Sequence, residues 1–107
     1  MKAFYGLVGM KHRNAEALVA SLPNGEPLTL IREPGNKYDA NAVQVWARGQ
    51  FIGYIGRGRK PGPKYAPGNE NEPIARYFDE AIAACNSKDI FMPAKFISGS
   101  NPRVAVE

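Results

Sequence analysis

Apolar and polar residues alternate along several short stretches of this chain, a pattern typical of β-strands that expose one face. Turn residues, mainly Gly, Pro, Asn and Asp, separate these stretches. The pattern predicts strands over residues 4–10, 27–33, 42–46 and 51–55, and a final hairpin between residues 90 and 106. Arg48, Gly49 and Gln50 predict a tight reversal between the third and fourth strands. In the second strand, either the pair Leu28 and Leu30 or the opposite face points inward.

Two segments show the helical spacing of apolar residues instead. In the first, Asn14 is expected to cap a short helix and Pro23 to end it, and the apolar face consists of Ala15, Leu18, Val19 and Leu22. The second begins near Asn71 and Pro73, and its apolar stripe consists of Ile74, Phe78, Ala81, Ile82 and Cys85. The lone Cys85 is therefore predicted to be a packed thiol.

Short strands, two helices and glycines at expected bends predict a mainly β, α+β fold, a small OB-like and partly open antiparallel β-barrel. Gly6 or Gly9 is expected to mark a bulge, a bend or a close backbone approach in the first strand. A length of 107 residues suits a single domain over residues 1–107. Residues 58–69, which are rich in Pro, Gly and basic residues, are expected to form an exposed loop.

The charge is unevenly distributed around a net value of +4. No acidic residue lies between Asp39 and Glu70, whereas the basic residues in this interval are Arg48, Arg57, Arg59, Lys60 and Lys64. Such a segment either attracts a polyanion, most plausibly nucleic acid, or simply keeps the surface soluble. No apolar run suits a membrane span or a signal peptide, so a soluble, cytoplasmic protein is expected.

Catalytic signals are sparse in this sequence. His12 is the only histidine and Cys85 the only cysteine, so a site with several His or Cys ligands is excluded and no cofactor is predicted. Glu33 and Asp39 could form a Mg²⁺ or general-base site. Alternatively, Glu33 pairs with Arg32 or another base and Asp39 caps the turn, and we favour this interpretation.

The segment from Arg32 to Val45, with sequence REPGNKYDANAVQV, carries more polar and aromatic residues than a turn requires. Pro34 and Gly35 suffice to reverse the chain. Tyr38 lies in this turn and is expected to be exposed, whereas Tyr54 lies in a strand and is either a half-buried core ring or a ligand contact. Aromatic rings among basic residues suit a strand with unpaired bases, because each base stacked on a ring contributes roughly 1–3 kcal/mol.

Three stretches of the sequence closely resemble the HIRAN domain family, namely LVGM at residues 7–10, LIREPGNKYDANAVQVW at residues 30–46 and FIGYIGR at residues 51–57. This resemblance implies an OB-like barrel that binds single-stranded DNA and captures its 3′-hydroxyl end. It implies that Asp39 accepts a hydrogen bond from that hydroxyl and that Tyr38 lies against the terminal base or sugar. By the same resemblance, the remaining DNA contacts are Lys11, Tyr54 and Arg57.

Further positions extend this prediction or depart from the family pattern. Asn36 is expected to orient the turn or touch the sugar, and Arg59 and Lys60 add positive charge. His12 stands where end-binding members carry an aromatic residue, so it can still stack or donate a hydrogen bond but is smaller. Arg32 is expected either to form a buried ion pair with Glu33 or Asp39 or to contact a phosphate.

The leading hypothesis is a non-enzymatic module that binds single-stranded DNA at free 3′ ends in DNA repair or replication-fork processing. One alternative is a protein-interaction module that recruits a nuclease or helicase. A weaker alternative is a metal-dependent nuclease that uses Glu33 and Asp39.

Overall fold

The fold is a closed barrel of six antiparallel strands with two α-helices, in a computed structural model that describes residues 3–56, 72–85, 90–99 and 102–106. The strands are β1 (Ala3–Val8), β2 (Pro27–Arg32), β3 (Val43–Ala47), β4 (Gln50–Ile55), β5 (Phe91–Ile97) and β6 (Arg103–Val106), and the helices are α1 (Glu16–Ser21) and α2 (Glu72–Cys85). This architecture confirms the predicted small OB-like barrel. The predicted loop at residues 58–69 lies outside the described residues.

The strands follow the order β1-β4-β3-β2-β5-β6 around the barrel. The predicted partial opening is absent from this ring, because β6 pairs with both β5 and β1. Pro93 lies in β5 opposite Thr29 of β2, in the part of β5 that precedes the pairing of Lys95 with β6. A proline, which has no backbone N–H, is tolerated there because β5 has no neighbouring strand on the β6 side at this position, so no carbonyl group on that side loses a hydrogen-bond donor.

The β3–β4 hairpin confirms the predicted reversal. Arg48 and Gly49 form the turn with φ angles of 51° and 76°. Positive φ at both central residues is the geometry whose twist matches that of the flanking strands. Glycine adopts it without strain, and Arg48 is additionally held by an ion pair to Glu26 of 3.2 Å.

A β-bulge in this hairpin changes which side chains share a face. Val45 pairs with Gly53 and Trp46 pairs with Phe51, so that Ile52 is the extra residue. In a regular strand, residues three positions apart point to opposite faces. The bulge instead allows Phe51 and Tyr54 to lie together on the outer face, while Ile52 is fully buried.

A short 3₁₀ helix over Met10–Arg13 follows β1 and corrects the predicted role of Asn14. Asn14 does not cap α1; it ends the 3₁₀ helix with φ 52°, and α1 begins after Ala15 with no side-chain cap. Asparagine tolerates this left-handed conformation better than most residues, which suits it to the link between two helices. Gly9, with φ 79°, is the glycine that bends the chain out of β1.

The core fills the barrel and is covered by apolar residues of both helices. Leu28 and Leu30 are the inward residues of β2, and Ala15, Val19 and Leu22 are buried as the helical spacing predicted. Ile74 and Phe78 of α2 are buried as well, but the prediction for Cys85 was wrong because this thiol is exposed. Residues 83–85 are exposed and Ile82 is half-buried, so α2 extends past the core at its end.

Among the described residues, no helix is long and apolar enough to cross a membrane.

Candidate nucleic-acid interface

The turn after β2 is built around the side chain of Asn36. Its Oδ1 accepts hydrogen bonds from the backbone N–H groups of Tyr38, at 2.9 Å, and Asp39, at 3.0 Å. The backbone N–H of Asn36 in turn donates to the carbonyl of Glu33 at 3.3 Å. Short polar side chains commonly satisfy turn backbones in this way. Asn36 therefore orients the turn, as one of the predictions for it stated.

Asp39 and Tyr38 have different environments within this turn. Oδ1 of Asp39 accepts from the backbone N–H of Asn41 at 2.9 Å, which confirms that Asp39 caps the turn. Asp39 is half-buried, whereas Tyr38 is 81% exposed. The Nζ atom of Lys37 lies 5.4 Å from the centroid of the Tyr38 ring. The predicted exposure of Tyr38 is confirmed, and its ring is presented to solvent next to a cation.

Glu33 organises the base of the turn. Its Oε1 accepts hydrogen bonds from Gln44 at 2.6 Å and from the Tyr54 hydroxyl at 2.8 Å. Its Oε2 accepts from Nδ2 of Asn36 at 2.8 Å. Strands β3 and β4 are thereby connected through one carboxylate to the residue that shapes the turn.

The pKa of Glu33 responds to these contacts. Burial acts to raise this pKa, because it disfavours the charged form. The net result is nevertheless a pKa below the ordinary 4.5, since the carboxylate receives hydrogen bonds and a nearby positive charge from Gln44, Tyr54, Asn36 and Arg13. Glu33 is therefore ionised at neutral pH and accepts from all its partners.

Tyr54 connects the turn to the outer face of β4. Its side chain is half-buried, and its hydroxyl also lies 3.4 Å from Nδ2 of Asn36. Burial and the hydrogen bond to Glu33 raise the pKa of Tyr54 above 10, so the hydroxyl keeps its proton. The ring is half-buried, as one of the two predictions for it stated, and lies against Phe51 on the outer face of the hairpin; contact with a ligand stays a prediction.

Arg32 takes neither of the two roles predicted for it. Its guanidinium pairs with Asp79 of α2 at 3.1 Å, and donates to the carbonyls of Ala42, at 3.0 Å, and Ala40, at 2.6 Å. The Arg32 side chain is only 6% exposed. Arg32 thus connects the end of the turn, at Ala40 and Ala42, to α2. Glu33 does not pair with Arg32 as expected, but binds Gln44, Tyr54 and Asn36 instead.

An aromatic row lies beside the turn, on the outer face of the β3–β4 hairpin. The rings of Trp46 and Phe51 are stacked, with centroids 5.4 Å apart, and Tyr54 contacts the Phe51 ring edge-to-face at 5.3 Å. The guanidinium of Arg13 lies 4.1 Å from the Phe51 centroid and 5.8 Å from the Tyr54 centroid. Such distances are those of cation–π contacts. We refer to Trp46, Phe51, Tyr54 and Arg13 as the outer row.

Only some of the residues predicted to contact DNA lie close together in the structure. It brings together Asn36, Tyr38, Asp39 and Tyr54 through hydrogen bonds and chain neighbourhood. Lys11 and His12 are exposed on the 3₁₀ helix that packs against β4, next to Arg13. The predictions for Arg57, Arg59 and Lys60 lie outside the described residues.

The sequence prediction missed Arg13, Gln44, Trp46 and Phe51. Alternation within β3 does place Gln44 and Trp46 on the face opposite Val43 and Val45. No pattern of this kind could reveal Phe51, because the bulge alters the alternation in β4.

Within the described part of the chain, no group of three or more His, Cys, Asp or Glu residues is arranged to hold a metal ion. The two carboxylates considered for such a site have other partners, since Glu33 binds three side chains and Asp39 caps the turn.

Comparisons with known proteins agree with this architecture. The sequence profile of the HIRAN domain matches residues 2–59. A crystal structure of a protein from Lactobacillus plantarum, determined by a structural genomics consortium, is similar over 100% of both chains, with a TM-score of 0.65 and 20% sequence identity. At that identity the similarity concerns the fold alone. No curated protein matches the sequence.

Proposed function

Because the chain belongs to the HIRAN domain family, which is a family of DNA-binding modules, we propose that it is a non-enzymatic module that binds single-stranded DNA at a free 3′-hydroxyl end. Its role would lie in DNA repair or replication-fork processing, where such ends arise.

The observation that carries this proposal is the pairing of an exposed ring with a carboxylate on a braced turn. Tyr38 is 81% exposed, and the adjacent Asp39 is held by Asn36 and Asn41. A ring in this position can stack on a terminal base without first leaving a packed site. Because the turn backbone is already ordered, binding costs little conformational entropy there.

The carboxylate of Asp39 supplies the discrimination between ends. An ionised carboxylate only accepts hydrogen bonds, and its two oxygens offer about four lone-pair positions. Asp39 accepts from the backbone N–H of Asn41, and in this proposal the same carboxylate also accepts from the terminal hydroxyl group of the strand. A 3′-hydroxyl can donate to it, whereas a 3′-phosphate brings negative charge and is repelled.

Basic residues outside the turn would hold the phosphates of the same strand. Lys11 and His12 are exposed on the 3₁₀ helix beside β4, and we assign them this role. The proposal extends to Arg57, Arg59 and Lys60 by their charge and sequence position. Contacts of this kind release counterions and do not depend on base identity, so affinity is expected to fall linearly with salt on logarithmic axes.

The experiment is a fluorescence anisotropy titration of oligonucleotides that end in a 3′-hydroxyl or a 3′-phosphate, at several salt concentrations. The native protein is expected to prefer the hydroxyl end by about tenfold, which corresponds to about 1.4 kcal/mol and suits one hydrogen bond to a charged group. Asp39→Ala is expected to bind both ends equally. Glu80→Ala removes the same charge from an exposed position on α2 and serves as the control.

Four outcomes would each contradict part of the proposal. Equal binding of both ends by the native protein would refute end capture, and the absence of any salt-dependent binding would refute DNA binding by this surface. Preserved discrimination in Asp39→Ala would leave Asp39 with a purely structural role. An assay for Mg²⁺-dependent cleavage of single-stranded DNA tests whether the protein is non-enzymatic. Cleavage by the native protein that is lost in Glu33→Gln would show that it is an enzyme.

A second candidate function is the recruitment of a helicase or nuclease partner. The observation that favours it is the exposure of three large apolar side chains outside the turn segment, namely Phe4 of β1, Phe91 of β5 and Tyr77 of α2. Exposed apolar side chains of this size are common at protein-binding surfaces. Stable co-purification of a helicase or nuclease, lost in Phe91→Ser, would support this function.

A further inference from the structure

The outer row combines three half-buried rings and one exposed cation on the outer face of the β3–β4 hairpin. The order along the row is Tyr54, Phe51 and Trp46, with Arg13 over the first two rings. The row starts at the turn itself, because the hydroxyl of Tyr54 contacts both Glu33 and Asn36. It therefore extends from the proposed end-binding turn across the hairpin.

The row is constructed with more precision than an incidental surface cluster requires. The bulge at Ile52 is what brings Phe51 and Tyr54 to the same face. The indole N–H of Trp46 is already satisfied by Oε1 of Gln44 at 2.9 Å, and Gln44 is itself bound to Glu33. The rings are thus held in place by hydrogen bonds and by each other, so little side-chain entropy remains to be lost on binding.

The chemistry of the row fits unpaired bases better than a protein partner. Every nucleobase has a π-face that stacks on aromatic rings, and the planar guanidinium of arginine stacks on bases as well. The guanidinium of Arg13 is exposed and lies 4.1 Å from the centroid of the half-buried Phe51 ring, so a base at this position can stack on it. The guanidinium of Arg13 provides a positive charge at this position. The carboxylate of Glu33 lies nearby, because the charge of Arg13 contributes to lowering the pKa of Glu33.

From these observations we infer that the outer row is a second DNA contact, at which bases upstream of the 3′ end stack on the exposed guanidinium of Arg13 and contact the accessible parts of the three half-buried rings. The inference rests on the proposed function, because it requires a strand whose end lies at Tyr38 and Asp39. It adds Arg13, Phe51 and Trp46 to the interface and gives the strand a direction, from the turn toward the tip of the β3–β4 hairpin. A dinucleotide would occupy the turn alone, whereas a strand of about ten nucleotides would also cover the row.

Trp46 makes the inference directly measurable, because it is the only tryptophan in the chain. Base stacking on or beside the indole is expected to quench its fluorescence. We expect strong quenching when a strand of about ten nucleotides saturates the native protein, and little quenching with a dinucleotide. Saturation is established independently by anisotropy of a labelled strand, so that binding and quenching are separate readouts.

A matched pair of variants tests the contribution of the cation. Arg13→Ala is expected to weaken binding of the longer strand by about fivefold or more and to leave the preference for a 3′-hydroxyl over a 3′-phosphate unchanged. Arg103→Ala is the control, because Arg103 is exposed on β6, whose neighbours are β1 and β5 rather than the hairpin. Both variants change exposed residues and are expected to fold, which thermal unfolding verifies.

The outcomes separate this inference from the proposed function. The outer row is not a DNA contact if the native protein binds the longer strand with unchanged Trp46 emission, or if Arg13→Ala binds as tightly as Arg103→Ala. End capture still stands in that case if the 3′-hydroxyl end is preferred over the 3′-phosphate end. If quenching and the effect of Arg13 appear without discrimination between ends, the row is supported and end capture fails. If no oligonucleotide raises the anisotropy, both are refuted.

Discussion

At the scale of single residues, the carboxylate of Glu33 connects the parts of the candidate site. It accepts hydrogen bonds from Gln44 of β3, Tyr54 of β4 and Asn36 of the turn. Asn36 then holds the backbone of Tyr38 and Asp39. Glu33 is thus connected through two successive hydrogen bonds to the residues that we expect to contact the DNA end. It acts as a positioning residue for them.

We predict that Glu33→Gln destabilises the protein by about 1–2 kcal/mol at neutral pH, because an amide accepts fewer and weaker hydrogen bonds than a carboxylate and places donors against donors. The same variant is expected to reduce the preference for the 3′-hydroxyl end. Chemical denaturation of the two proteins measures the first effect, and the anisotropy titration measures the second.

The pH dependence provides the control for this prediction. The folded pKa of Glu33 lies below its ordinary value of 4.5, so its charged form stabilises the fold above that value and this contribution is lost as the pH falls through the folded pKa. The difference in unfolding free energy between the native protein and Glu33→Gln should therefore shrink as the pH falls below 4.5. A difference that stays constant with pH would show that the charge of Glu33 is unimportant.

The sequence allowed some of these residue roles to be predicted and not others. The exposure of Tyr38 and the capping by Asp39 follow from turn chemistry, which acts over a few neighbouring residues. The partners of Glu33 depend on strand pairing across the barrel, which local sequence does not determine. Arg32 was similarly assigned to nearby carboxylates, whereas its partner Asp79 lies 47 positions away on α2.

At the scale of elements, β4 is fitted closely against β1. A Cβ atom at Gly53 would collide with the backbone carbonyl oxygen of Val8, a group that cannot rotate away as a flexible side chain could. Gly53 lies between Phe51 and Tyr54, directly after the bulge. The absence of a side chain there allows the 3₁₀ helix and β1 to approach the outer row.

We predict that Gly53→Ala destabilises the protein by about 1–3 kcal/mol, because the added methyl group forces the two strands apart. Gly6→Ala is the matched control on β1, since a Cβ atom at Gly6 meets nothing within 4 Å. That substitution should be neutral or slightly stabilising, because it restricts the unfolded chain. Equal melting temperatures for the two variants would contradict the close approach.

At the scale of the whole molecule, the barrel extends beyond the segment that matches the HIRAN profile. Residues 2–59 contain β1 to β4, which form a row ordered β1-β4-β3-β2. Strands β5 and β6 join the open edges of β2 and β1, and Ala94, Phe96 and Val104 add to the core. The hydrophobic alternation near the end of the sequence predicted this final hairpin, although not that it closes the ring.

We therefore predict that a fragment of residues 1–59 does not fold on its own. It lacks part of the core and exposes the unpaired edges of two strands, which favours aggregation. Circular dichroism and size-exclusion chromatography of the fragment test this, with the full chain as the reference. A monomeric fragment with cooperative thermal unfolding would show that the four strands suffice.

The pairing of β1 with β6 also determines where the chain can be attached to something else. Ala3 and Val106 are direct partners, so the two ends of the barrel sequence lie one strand spacing apart, about 5 Å. They lie at the opposite end of β1 from Val8, which pairs with Tyr54 and is roughly 16 Å further along the strand. A short Gly/Ser bridge could therefore make the chain circular, and a label, surface tether or fused enzyme at either end would start from the same place, away from the outer row.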